Sequence, residues 1–266
     1  MNNKLLPDAQ STELKSSEEN LNDVQPSLTF SSEKHLILFA LGFLGVNFFS
    51  FFVVLFFRLI LGHIPGQINP GFLQTDDFLG LTNGLIYFVI IVTMMIPLSD
   101  HIPNIIATFK HKKVWINGLG YTALIIIISG IYSFILNITG LTVSDNANQS
   151  AITALVLNSP IDSFIWIVLL GPIVEELTYR LGLFSMIKRK NRIFAYIAVM
   201  LLFGFIHFDF TNPNLLNEFL NLPSYIIGGA VLCFAYDREG LATSITAHIF
   251  NNLLSFIMIF LGALFL

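Results

Sequence analysis

Glu175, Glu176 and Arg180 fall inside a stretch that otherwise reads as a membrane span, between the largely apolar segments 161–170 and 181–187. A charged side chain at the bilayer centre costs about 2.5–3.5 kcal/mol on insertion scales, so such groups must face other protein groups or water, and they mark function by default. Two later apolar runs carry pairs at i,i+4 spacing, Phe203 with His207 and His248 with Asn252, and that spacing puts each pair on one helix face. A desolvated Glu beside a His can polarise a water as a general base. A second His and a carboxamide can donate hydrogen bonds to a developing oxyanion. Together they suffice to hydrolyse an amide within the membrane. Glu175, His207 and His248 could instead ligate a divalent metal such as zinc that activates the water. The residue types alone leave both routes open.

Glu176 and Arg180 are also i,i+4, with the acid first, the better orientation for an intrahelical ion pair. Arg180 can therefore neutralise Glu176 and leave Glu175, about 100° round the helix, free for chemistry. Pro172 removes a backbone hydrogen bond one turn earlier, which predicts a kink and a cavity beside the carboxylates.

The elements that must position these groups are membrane spans. The chain has 266 residues, 55% apolar and 11% charged, where a soluble domain carries about 25% charged residues. The fold class is an all-α, polytopic transmembrane bundle of seven to eight spans. Apolar runs predict spans at about 35–61, 81–98, 114–138, 161–187, 193–210, 222–236 and 241–266. Residues 1–32 are polar and acidic and read as a disordered tail, leaving 33–266 as the transmembrane domain. No basic n-region with a short apolar core marks a signal peptide. The basic clusters 110–113 and 188–192 and Arg238 alternate with loops at 62–80, 139–160 and 211–221 that hold no Lys or Arg. The positive-inside rule then places the N-terminus in the cytoplasm. Short loops and an Asn- and Phe-rich composition suit a bacterial cell membrane. At about 1.5 Å rise per residue, Glu175, His207, His248 and Asn252 lie roughly 15–22 Å from the cytoplasmic ends of their spans, in one layer.

Other readings compete at single positions. A transmembrane His or Asn, including Asn251 beside Asn252, can simply hydrogen-bond between helices. His35, His63, His101 and His111 fall at predicted span ends or loops and read as solvated. Asp209 could orient His207, although a surface role fits it better. Cys233, the single cysteine, reads as a buried structural thiol and excludes a disulfide framework or thiolate cluster. The net charge of −4 argues against a nucleic-acid partner. The implied partners are membrane lipid and a membrane-associated peptide.

Glu175-Glu176-x-x-x-Arg180, Phe203-x-x-x-His207 and His248-x-x-x-Asn252, in this order on three late spans, resemble the CPBP family of CAAX prenyl proteases and bacteriocin-processing (Abi-type) membrane proteins. The resemblance covers about 161–256. It implies that Glu175 and His207 activate the water, that His248 and Asn252 form the oxyanion site, and that Glu176 and Arg180 support the geometry. The family is often called metalloprotease, and a metal-free glutamate mechanism is also proposed for it. It is usually drawn with eight spans. Its bacterial members act in peptide maturation, bacteriocin self-immunity or signalling. A His-Glu-x-x-His zinc motif and a Gly-x-Ser-x-Gly elbow are absent from the sequence. The sequence thus predicts an intramembrane endopeptidase acting on a lipidated, signal-type or bacteriocin-type peptide. A non-catalytic immunity protein or sensor scaffold is the alternative. A proton relay through Glu175 and His207 in a transporter is a third reading, but no internal repeat accompanies it.

Overall fold

The computed structural model describes residues 30–61 and 76–264, and among them regular structure is entirely helical. Helix α1 covers 32–61, as Ser32–Leu44, a π-helical stretch Gly45–Phe49 and Ser50–Leu61. Helix α2 (Asp76–Leu98) passes through a 3₁₀ turn into α3 (Ile102–Thr108). Then follow α4 (Lys112–Ile138), α5 (Ala147–Asn158) and the composite α6 over 160–188. The chain ends with α7 (Arg192–Phe205), α8 (Leu215–Glu239) and α9 (Leu241–Leu264).

Local chemistry sets several helix starts. Ser31, Asn146, Asn191 and Asn214 each accept a backbone N–H from the first turn of the helix they precede, satisfying donors that a helix N-terminus otherwise leaves unpaired. Gly240, at φ +84°, makes the tight turn between α8 and α9, a backbone conformation that side chains disfavour.

Among the described residues, five helical stretches are long and apolar enough to cross a bilayer, and this is a multi-pass membrane protein. They are 32–53, 80–108, α4, α8 and 241–263. Helix α6 threads its charges through the middle of the bundle, and residues 176–184 along it are all buried. It packs against α1 at two close approaches. A Cβ on Gly182 would lie 2.8 Å from the Phe39 amide nitrogen, and one on Gly42 would collide with the Thr178 side chain. Small residues at such crossings let helix backbones approach in lipid, where no hydrophobic drive brings them together. One core cluster joins α1, α2 and α6 through Leu38, Met94, Val174 and Leu181; another joins α6, α7 and α8 through Phe184, Val199, Phe203 and Cys233. Cys233 is fully buried, as the sequence indicated.

The basic clusters gather on one face. Asp237 at the end of α8 pairs with Lys188 and with Arg192 Nε at 2.7 Å, and it accepts from the Tyr196 hydroxyl at 2.9 Å. Asn117 near the start of α4 donates to Glu239 at 2.9 Å, and Lys34 on α1 lies 3.7 Å from Asp100 beyond α2. Helix ends that the charge alternation assigns to one side thus share one side.

Several sequence expectations shift. The segment 139–160, read as a loop, holds α5, whose 12 residues span about 18 Å, too short for a hydrocarbon core of about 30 Å. The span read at 193–210 ends as a helix at Phe205, which leaves His207 in the turn beyond. The segment read as a loop at 211–221 is helical from Leu215, and its Glu218 is buried. His35, read as solvated, is buried, with Nδ1 2.5 Å from the Leu181 carbonyl and Nε2 3.1 Å from Arg189. The tail read at 1–32 falls outside the described residues up to 29, and Phe30 is already packed, stacked on His101 at 4.4 Å. His63 and residues 62–75 of the predicted turn also lie outside the described residues.

Candidate active site

Helix α6 carries the acidic pair on an irregular stretch. A short α-helical segment, Gly171–Glu175, separates two π-helical ones, Phe164–Leu170 and Glu176–Phe184. The Gly171 amide bonds back to the Trp166 carbonyl, a π-type bond that sits immediately before Pro172. π-helical stretches inside α-helices are frequent at functional sites and bend the helix. Here they present Glu175 to a cavity and Glu176 to the protein interior.

Glu176 and Arg180 form a fully buried pair, with Arg180 Nη1 3.0 Å from Glu176 Oε1. The guanidinium lies 4.4 Å from the centre of the Phe203 ring, and Nη2 donates to the Gly229 carbonyl at 3.3 Å. Three helices, α6, α7 and α8, therefore share one cation. Glu176 Oε1 also accepts from His248 Nδ1 at 2.8 Å. With Nδ1 committed to Glu176, His248 turns Nε2 toward Glu175, whose Oε2 lies 3.8 Å away. Glu175 Oε2 is buried and has no hydrogen-bond partner in the protein.

His207 caps the end of α7, its Nδ1 2.8 Å from the Phe203 carbonyl. That bond assigns the proton to Nδ1 and leaves Nε2 basic, an inference from the hydrogen-bond network. Asn252 sits on α9 one turn beyond His248 and donates through Nδ2 to the Ile167 carbonyl at 3.0 Å, so one of its two amide hydrogens is committed. Asn251 Nδ2 lies 3.4 Å from Asn252 Oδ1. Asp209 accepts from the Thr211 amide and hydroxyl at 2.8 and 2.7 Å, and in this arrangement it acts on its own loop and not on His207.

Glu175, His207, His248 and Asn252 all line one cavity of about 740 Å³. Much of its remaining polar lining is uncharged, with Asn83, Asn148, Gln149 and Ser224 among it. Trp166 also lines it and keeps a buried Nε1 with no partner. Trp166, Tyr225 and the α5 residues of this wall carried no sequence signal: an aromatic in a span reads as packing, and an Asn in a polar loop reads as solvated. Among the described residues, no three His, Cys, Asp or Glu side chains converge closely enough to hold a metal ion. Glu175, His207 and His248 share the cavity without forming such a group.

Residues 157–254 match the family described as type II CAAX prenyl endopeptidase Rce1-like. The CPBP resemblance read from the three motifs holds over that segment, which runs from the end of α5 into α9. At family level the match is to endopeptidases. The chain is also 27% identical over 177 residues to the UPF0177 protein YvdC of Lactococcus lactis subsp. lactis (strain IL1403). That alignment covers 65% of this chain and 65% of the relative. No solved structure matches the chain.

Proposed function

We propose that this protein hydrolyses a peptide bond in a membrane-associated peptide, using a water activated by Glu175 and His207. The observation that supports this most is the cavity that gathers Glu175, His207, His248 and Asn252 from α6, the end of α7 and α9. A buried carboxylate oxygen without a partner is suited to hold a water and accept its proton. His207, basic at Nε2, shares that proton. The resulting hydroxide attacks the scissile carbonyl, and the proton passes to the departing amine. The free amide hydrogen of Asn252 and, in the imidazolium form of His248, the Nε2–H bind the developing oxyanion, while His248 Nδ1 donates to Glu176. Glu176 and Arg180 hold His248 in place. The basic loops place the N-terminus in the cytoplasm, and the Asn- and Phe-rich composition and short loops suit a bacterial cell membrane.

The test is cleavage of a fluorescence-quenched, prenylated CAAX-box peptide, beside an unlipidated signal-type peptide, by purified protein in liposomes. The reading expects cleavage of at least one peptide by the wild type. Inertness toward both, in protein shown to be folded, overturns it. Metal analysis of the active preparation, with and without chelator, decides whether a divalent ion takes part.

A further inference from the structure

His207 stands beyond the last turn of α7, where the helical ladder no longer fixes the backbone. A ring there needs another restraint to keep one rotamer. Tyr225 of α8 supplies a flat surface, with ring centroids 4.6 Å apart and planes 13° from parallel. The Tyr225 hydroxyl donates to Asn146 Oδ1 at 3.0 Å and accepts from Asn148 Nδ2 at 3.2 Å. Asn146 is 1% exposed, and its Nδ2 donates to the backbone carbonyl of His207 at 3.2 Å. One asparagine therefore grips both the histidine backbone and the tyrosine stacked on its ring.

The brace continues outward. Buried Glu218 accepts from Asn146 Nδ2 at 3.5 Å, the Ala147 amide at 2.9 Å, the Asp209 amide at 3.2 Å and Asn212 Nδ2 at 2.6 Å. It ties the start of α5 to the turn that carries His207. Phe203 lies against the imidazole with centroids 5.0 Å apart and also provides the carbonyl for Nδ1.

We propose that Tyr225 is a positioning residue for His207: its stacked ring fixes the imidazole plane and so aims Nε2 into the cavity, while Asn146 and Glu218 hold the backbone of the turn that carries His207. The consequence for rate rests on the proteolytic reading; the consequence for the ring does not. Misplacing a reacting group by about 1 Å can cost about a hundredfold in rate, so a stack that fixes the ring matters even though it touches no substrate.

The experiment is nitrogen NMR of ¹⁵N-histidine-labelled full-length protein in bilayers, with His207→Gln to assign the resonance. Wild type and Tyr225→Phe should show a single Nδ1–H tautomer at His207. Tyr225→Leu should show a mixture, and Tyr225→Met, closer in reach and not aromatic, serves if the leucine variant does not fold. In the liposome assay the non-aromatic variant should lose about tenfold or more in kcat with KM within about twofold, while Tyr225→Phe keeps about half or more of its activity. An unchanged single tautomer in the non-aromatic variant overturns the proposal, and so does an equal loss in the phenylalanine variant. If the wild type cleaves nothing, the proteolytic reading falls and the tautomer comparison still decides the role of Tyr225.

Discussion

His248 Nδ1 and Glu176 Oε1 lie 2.8 Å apart in the closed interior of the bundle, and the same oxygen is 3.0 Å from Arg180. The second carboxylate of the motif thus serves as the anchor of the second histidine, while the first is left to the cavity. Removing one partner of a buried ion pair costs about 3–5 kcal/mol, because the other charge is stranded. Glu176→Gln should therefore lower the thermal unfolding midpoint and abolish cleavage together. The double variant Glu176→Gln/Arg180→Met should recover stability and stay inactive. Thermal unfolding in detergent beside the liposome assay separates the two effects.

His207→Gln gives up the Nδ1 contact with the Phe203 carbonyl and the basic Nε2. General acid–base groups contribute about 10²–10⁴-fold. The variant should lose activity within that range, with KM within about twofold and an unchanged unfolding midpoint.

Asp237 does not line the cavity, and its side chain is 1% exposed beneath Lys188 and Arg192. Asp237→Asn weakens the charged face that joins the α6–α7 turn to the end of α8. Scanning calorimetry should show a lower midpoint, while kcat and KM stay within about twofold of wild type.

Glu218→Gln replaces a carboxylate that takes four donors with an amide that can present only one oxygen. Local opening of the segment it ties should become easier. Hydrogen exchange of the amides at 147–158 should accelerate about tenfold or more, and those at the centre of α6 should not change.

Much of the site was legible because charges and imidazoles stand out in apolar runs. Glu175, Glu176 and Arg180 had to face something other than lipid, and counting from the basic loops put His207, His248 and Asn252 at a similar depth. The acid-first spacing of Glu176 and Arg180 also read directly as the pair that the structure contains. What did not read was the outer wall. Helix α5 begins in a polar stretch that reads as a loop, and its start is fixed by Glu218, distant in sequence. Tyr225 gave no sign of stacking on His207, because nothing local to either residue predicts that α7 ends early and that α8 begins early. His35 looked solvated at a span end, yet a contact with Leu181, far along the chain, buries it.

The central claim is that the Glu175 carboxylate activates the attacking water. Glu175→Gln keeps the side chain's shape and its place beside His248 while removing the base. Initial rates of peptide cleavage in liposomes, measured on wild type and Glu175→Gln of equal unfolding midpoint, test this directly. The account predicts a loss of at least about a hundredfold in kcat. Cleavage at the wild-type rate by the glutamine variant would contradict it.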